Sequence, residues 1–301
     1  MNDTNDDQPS GLLPALGAYF IWGFLPLYLL LVKTVPAFEF VAWRIIWTLP
    51  ICLLIVHVRK QWPDIRSALV DSKALRLLAL SATLIGVNWL VYVWAIQHGE
   101  VYAASLGYYI NPLVNVLLGT LLLGETLSRR QWLAVGIAAL GVAVLAAGAV
   151  TTLWISLTLA LSFGTYGLLR KQVTVGSLPG LTIESAILLL PSVGIAAWYA
   201  ASPAGSSFDD SIGLSFAIVL GGVLTAVPLL LFAIAARRMD YSTLGFIQFL
   251  APSIVFVLGL TVFKKPLHTA ELICFGLIWT ALAVFVLDLL AKRRATRPAA
   301  S

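Results

Sequence analysis

Charge is scarce in this sequence. Lys and Arg number 19, Asp and Glu 14, and charged residues make up only 11% of the 301 positions, where a soluble domain carries about 25%. With 60% hydrophobic residues and a mean hydropathy of +0.94, that shortage excludes a water-soluble globular fold, and disordered and collagen-like chains with it. Cysteine is scarcer still. Cys52 and Cys274 both lie inside apolar runs, which excludes a disulfide scaffold and offers no metal spacing. His57, His98 and His268 fall on separate joints, again without metal-ligand spacing. No glycine-rich phosphate loop ending in Lys is present, so ATP drive is not expected. No cofactor is expected, and nothing pairs a nucleophile with a base.

What the sequence has in abundance is apolar length. A membrane-spanning helix takes about 20 mostly apolar residues. Ten such segments follow one another, at 12–32, 37–56, 76–96, 102–123, 131–149, 152–169, 181–199, 213–235, 242–263 and 270–290. The expected fold is an all-α polytopic membrane protein with ten transmembrane helices and the lipid bilayer as its main partner. The joints are short, and the longest, His57–Lys73 and Ala200–Ile212, are too short for a soluble domain. Residues 1–11 read as a disordered tail: Met1–Ser10 carries Asp3, Asp6 and Asp7 but no Lys or Arg. The apolar run that follows is too long for a cleaved signal peptide.

Loop charge sets the expected orientation. The even-numbered joints and the two tails hold Arg59, Lys60, Arg66, Lys73, Arg76, Arg129, Arg130, Arg170, Lys171, Arg237, Arg238, Lys292, Arg293, Arg294 and Arg297, fifteen of the 19 basic residues. The odd-numbered joints hold Lys33, Lys264 and Lys265. Basic loops stay on the cytoplasmic side, so both termini, including the basic tail 291–301, are expected in the cytoplasm of a plasma (inner) membrane protein. The net charge of +5 then needs no nucleic acid to explain it.

The two halves echo one another. Pro112, Gly119, Leu127 and Gly136 recur as Pro252, Gly259, Leu267 and Gly276, each displaced by 140 positions. Pro50 is answered by Pro191, and Trp22-Gly23 on the first span by Tyr166-Gly167 on the sixth. Each unit holds five spans, an odd number, so the second copy would sit inverted. The expected units are 12–150 and 151–290. Inverted repeats characterise secondary transporters, whose solute site lies near the midplane where the repeats meet.

Several stretches resemble the RarD family, a member of the EamA-type drug/metabolite transporters. They are Tyr19-Phe20-Ile21-Trp22-Gly23, Val35-Pro36, Arg44-Ile45-Ile46-Trp47, Gly86-Val87-Asn88-Trp89-Leu90, and Ala104-Ser105-Leu106-Gly107-Tyr108-Tyr109-Ile110-Asn111-Pro112-Leu113-Val114-Asn115. Leu123-Gly124-Glu125 and Gln131-Trp132-Leu133-Ala134-Val135 continue the series. The likeness covers about residues 12 to 290. It implies a ten-helix inner-membrane protein of two inverted repeats with an alternating cavity. The family label refers to chloramphenicol sensitivity or resistance, a phenotype rather than a substrate. The sequence departs from the family pattern at Leu29, where Lys is expected nearby, at Trp43 for His, near Ala103 for Glu, and at Lys264-Lys265 for a Gly-Glu pair.

Few side chains are candidates for a site. Arg44 lies about 10 Å into the second span at 1.5 Å per residue, between Trp43 and Trp47. Intramembrane charges face a cavity or a partner, and three roles fit it: holding a solute anion, pairing within the protein, or snorkelling to the interface. Glu184 on the seventh span and Glu39 at the outer end of the second are candidates for proton coupling, with pairing of Glu184 to Arg170 or Lys171 as the alternative. Asn88, Asn111, Asn115 and Gln248 are amides at membrane depth, suited to a polar solute or to joining helices. Pro112 and Pro252 are expected helix breaks that free backbone carbonyls.

Trp22, Trp89, Trp94, Tyr108 and Tyr109 lie deep enough to stack on a solute or to pack against lipid. Trp62, Trp132, Trp154 and Trp198 read as an interfacial belt. Gly136, Gly141 and Gly148 read as close helix contacts, within the chain or in a homodimer. The function expected is a transmembrane transporter rather than an enzyme. It would export a small organic solute or drug by alternating access, with protons as a candidate coupling ion. A sensor or scaffold and, more remotely, a membrane-embedded enzyme are the alternatives.

Overall fold

In a computed structural model the described residues are 11–148, 150–264 and 268–295. The acidic leader, the joint at Lys265–Leu267 and the end of the basic tail therefore lie outside them, as do the side chains of Lys292–Ala295 and Gln97. Twelve α-helices follow one another: α1 (Leu12–Leu29), α2 (Ala37–Val58), α3 (Trp62–Val70), α4 (Ser72–Gln97), α5 (Val101–Leu122), α6 (Arg129–Ala146), α7 (Leu153–Gln172), α8 (Ser177–Ala200), α9 (Ile212–Arg238), α10 (Tyr241–Gln248), α11 (Leu250–Thr261) and α12 (Thr269–Ala295). Ten membrane-crossing segments are long and apolar enough among the described residues, and they match the ten runs read from the sequence to within a few positions. The ninth is α10 and α11 in series.

Local chemistry sets the ends of these helices. After α2, Lys60 takes a left-handed φ of 56°, and the Gln61 amide returns to the Val56 carbonyl at 3.0 Å, which closes the helix as a Schellman turn. Gly99, at φ 78°, does the same for α4, with the Glu100 amide reaching Ala95 at 2.8 Å. Asp71 caps α4 through its side chain, and Ser128 with Gln131 forms a capping box on α6.

The long basic joint His57–Lys73 contains a short helix, α3, with Pro63 at its first turn and Ile65 and Ala68 buried against the main core. One reading of the sequence needs correction here. The break expected at Pro112 is absent, since α5 runs through it. Among the described residues the ninth span is interrupted at Phe249, three residues before Pro252, and the first tightens into a 3-10 turn at Leu30–Val32. Proline removes one amide donor and crowds the preceding turn. In α5 the neighbouring helices hold that turn in place. Gly245 of α10 comes so close that a Cβ there would lie 2.7 Å from the Pro112 carbonyl.

The nine most extensive helix–helix interfaces all join one of the first five spans to one of the last five. They are spans five and ten, four and six, two and seven, two and eight, three and six, four and nine, one and eight, one and nine, and three and seven. Exchanging the two sets of five maps this set of interfaces onto itself. Neither half has a core of its own.

The core is unequal across the membrane. The largest cluster gathers Tyr19, Val56, Leu78, Tyr166, Leu181, Phe232 and Tyr241 with their neighbours, all in the half of each span nearest the basic joints. Spans four, five, nine and ten share a second cluster that runs through both halves, from Leu106, Leu145 and Cys274 to Phe246 and Phe285. Among the other spans, toward the opposite face, the packing divides into small separate clusters around Tyr28 and Phe40, around Ala103 and Leu159, and around Val41 and Val93. Of the span-five glycines, Gly141 does admit close contact, with Cys274 and Leu277 of α12, and Gly148 makes ordinary contacts. Gly136 faces open space, as does Gly276.

Candidate functional site

Arg44 stands where the small clusters meet. Its side chain turns inward: Nε donates to the Thr225 hydroxyl of α9 at 2.9 Å, and the guanidinium lies 4.8 Å from the Trp89 ring centroid of α4 and 6.0 Å from that of Phe40. Tyr108, Tyr28 and Tyr92 are its electrostatic neighbours. No carboxylate among the described residues lies within 4.0 Å of it, the Arg170–Glu184 pair being the ion pair found there. Arg44 is only partly buried, and Tyr108, whose ring meets Tyr92 at 5.8 Å, is 46% exposed. Arg44, Tyr92 and Tyr108, on α2, α4 and α5, therefore keep accessible surface, and the packing is open at this point. A cation–π contact with one hydroxyl acceptor leaves most of the guanidinium's five donors uncommitted.

Trp89 connects this opening to a small central void. Thr48, Trp89, Tyr166, Glu184 and Ser185 line the void with aliphatic side chains between them. Thr48 lies one turn from Arg44 and donates to its carbonyl at 2.7 Å. Thr48 also reaches the Gly222 carbonyl of α9 at 3.2 Å, a contact that the close approach of α9 to α2 permits, since a Cβ on Gly222 would sit 2.6 Å from that of Trp47.

Below the void is a buried ionic network. Glu184 accepts from Ser81 Oγ of α4, from Arg170 Nη1 at 3.4 Å and from Tyr166 at 3.5 Å. Arg170 is 0% exposed, and its Nη2 donates to the Ser177 carbonyl at 2.8 Å while Nε has no partner. Gly180 makes this geometry possible, since a Cβ there would collide with the guanidinium. Arg170 therefore does not belong with the exposed joint cations among which its sequence position places it. Lys171 and Arg237 do sit at joints but also act as helix-end donors. Lys171 reaches Ala236 and Met239, and Arg237 reaches Val173 and Val175.

The amides do not gather at the opening. Asn88 donates to the Leu159 carbonyl at 2.8 Å and to Ser162 at 3.0 Å. Asn115 donates to Gln248 Oε1 at 2.7 Å, linking α5 to α10, and Gly164 and Gly245 provide the room at this crossing. Asn111 is buried beside them, and the carbonyl oxygens of Asn111 and Asn115 have no partner among the described residues. Trp22 packs against Tyr19, Phe163 and Phe232, away from Arg44. Trp94 stacks on His98, and Tyr109 meets Phe275. Trp62, Trp132, Trp154 and Trp198 are exposed.

Glu39 fastens a strap. Its Oε1 accepts from Trp43 Nε1 at 3.2 Å, Ser206 Oγ at 2.6 Å and the Ser207 amide at 2.9 Å. This holds the α8–α9 joint on α2, with Phe208 stacked 4.4 Å from Trp43 and 6.2 Å from Trp47. Glu125 plays a comparable part across the halves. Both of its oxygens accept from the start of α10, from the Tyr241 and Ser242 amides at 2.6 and 2.8 Å and the Ser242 hydroxyl at 2.7 Å.

Sequence reasoning missed Thr225, Tyr92, Phe208 and the reach of Glu125. Only Glu125 carried a signal, as a carboxylate beside a span and followed by the capping serine of the next. The others are polar or aromatic residues that become notable only when a distant helix approaches.

Comparison with known proteins agrees with this architecture. Residues 9–147 match the EamA-like transporter family. The chain is 40% identical to protein RarD of Streptomyces exfoliatus over 97% of its own length and 93% of that protein's. It is 41% identical to protein RarD of Salmonella typhimurium, covering 94% and 97%. It is 37% identical to an uncharacterized transporter of Vibrio cholerae, covering 99% of both chains. A crystal structure with 19% sequence identity superposes with a TM-score of 0.70 over 92% of this chain and 97% of the other, a likeness of fold alone.

Proposed function

This chain belongs to the RarD family of EamA-type transporters, and on that premise we propose that it moves a small organic solute out of the cell through the opening at Arg44. Arg44 carries the proposal, as a partly exposed cation deep in a span with no carboxylate beside it. A solute anion, preferably a planar carboxylate, satisfies the uncommitted donors of its guanidinium. Trp89 and Tyr108 offer aromatic faces for the rest of the solute, and Glu39 with Phe208 guards the approach. Asn88, Asn111, Asn115 and Gln248 act as a joint between the halves that reaches the solute only when the helices move. Trp22 packs beneath the route. Pro252 marks the hinge of the ninth span, and Pro112 stiffens α5 against it.

In this reading the membrane is a plasma membrane with the basic joints and both termini in the cytoplasm. The protein is then outward-facing: the main cluster around Tyr19, Tyr166 and Phe232 closes the route on the cytoplasmic side, and the thinner packing around Arg44 opens outside. The two five-span units, 12–150 and 151–290, act as inverted repeats, which the exchange symmetry of their contacts supports. Alternating access follows if the packing swaps between them. Glu184, on the void next to Trp89, is the proton-coupling carboxylate, with Arg170 as its resting partner.

The test begins with a thermal-shift screen of amino acids, metabolites and antibiotics, chloramphenicol included. Uptake of the radiolabelled best binder into proteoliposomes then follows. Arg44→Lys is expected to insert normally and lose most of the flux, because an ammonium lacks the planar fork, and Arg44→Gln to lose all of it. Near wild-type flux in the Lys variant would remove Arg44 from the site.

A further inference from the structure

A second cavity lies on the membrane face that carries the basic joints, away from Arg44. It has a volume of about 420 Å³ and lies half-open between the ends of α2, α8 and α9. Its mouth holds Arg59, Arg237 and Arg238 with Gln61 and Ser177, and its floor is Ile55, Leu230 and Ile234. None of the three arginines has a carboxylate within 4.0 Å among the described residues. Arg237 is fixed in place by its Nη1 bonds to the Val173 and Val175 carbonyls at 2.7 and 2.6 Å. The left-handed turn at Lys60 brings Arg59 and Gln61 to the rim. The 24-residue α8 begins at Ser177, on the same rim, so the positive end of its dipole adds to the field.

Three uncompensated guanidinium groups around one cavity call for an anion, and guanidinium binds phosphate in forked pairs. The floor limits which anion. Leu230 precedes Arg238 by eight residues, about 12 Å along the helix at 1.5 Å per residue, so the cavity passes from cationic to apolar over the depth of a headgroup region. A free phosphate leaves that floor bare, whereas a phospholipid fills both parts. Basic pockets between spans are a recognised way to hold anionic headgroups. We propose that this cavity binds an anionic phospholipid, its phosphate on Arg59, Arg237 and Arg238 and the start of an acyl chain on Ile55, Leu230 and Ile234.

The experiment uses the full chain in detergent, with lipid retention read by native mass spectrometry and thermal midpoint by fluorescence. Phosphatidylglycerol, phosphatidylcholine and inorganic phosphate are the probes. Arg59→Gln/Arg238→Gln spares Arg237, which latches α9 to the α7–α8 joint. Retention of phosphatidylglycerol at least tenfold above phosphatidylcholine, lost in the double variant while its lipid-free midpoint is unchanged, supports the site. Should the double variant not fold, Ile234→Trp, which fills the floor without touching charge, is expected to give the same loss. Equal retention of the two lipids, or no change in either variant, overturns the proposal. So does stabilisation by inorganic phosphate equal to that by lipid, which would make this a site for soluble anions.

Discussion

At the scale of single residues, the energetic centre is the Arg170–Glu184 pair. Both partners are out of solvent, and removing one leaves the other charged and unsolvated, at a cost of about 3–5 kcal/mol. Replacing both with apolar groups of similar volume removes the desolvation penalty along with the attraction, and is often neutral. Thermal melts in detergent should therefore show Arg170→Met and Glu184→Leu each strongly destabilised, and the double variant restored to near wild type. If Glu184 couples transport to protons, the restored double variant should fold and still carry no pH-driven flux. Recovery of both stability and flux would confine the pair to structure. Arg44 differs, because its partner is a neutral hydroxyl and an aromatic face, which stabilise the cation without neutralising it.

At the scale of elements, the ninth span depends on a carboxylate from the other half. The start of α10 presents unpaired amides, and Glu125 answers two of them while its charge opposes the helix dipole. Gly119 lets this happen, because a Cβ there would lie 2.5 Å from Glu125 Oε2 and 2.6 Å from the Ser242 hydroxyl. Glu125→Ala should cost about 1–2 kcal/mol, the range for a lost helix cap, and Glu125→Gln less. Hydrogen exchange is the check: amides at Tyr241, Ser242 and the turn that follows should lose protection in the Ala variant while α5 keeps its own. Uniform loss along both helices would mean that Glu125 supports the whole bundle rather than one helix start. The strap at Glu39 works the same way, with a side chain from α2 holding backbone from the α8–α9 joint, and no inspection of either segment alone reveals it.

At the scale of the whole molecule, the contrast between the main cluster and the thinner packing around Arg44 gains meaning once the faces are assigned. With Arg170 inside the bundle, fourteen basic residues on one set of joints and the tails against three on the other set is the motive for that assignment. Reporter fusions at Gln61 and after the last span should read cytoplasmic, and a fusion at Ser206 external. A tail reading outside while Gln61 reads cytoplasmic would overturn both the ten-span count and the inverted repeat; reversal of all three reporters together would make the opening at Arg44 inward-facing.

Span number and position followed from the sequence alone, because the bilayer accepts only helices about 20 apolar residues long, and composition at that length is a strong signal. Helix starts were less visible: Asp71 and Ser128 begin their helices at Ser72 and Arg129, before the apolar runs read at 76 and 131, because capping is local hydrogen bonding that hydropathy does not weigh. Arg44 and Glu184 stood out because charge is rare at membrane depth. Their surroundings were decided elsewhere. Thr225 is 181 positions from Arg44, Ser81 is 103 from Glu184 and Gln248 is 133 from Asn115. A one-dimensional pattern records each residue's depth in the bilayer, but the pairing of faces depends on which helices touch. Here those faces belong to opposite halves of the chain, brought together by glycines at 164, 222 and 245. Depth is a property of solvent and can be read position by position; the neighbours of a buried group come from packing, which exists only once the two halves interlock.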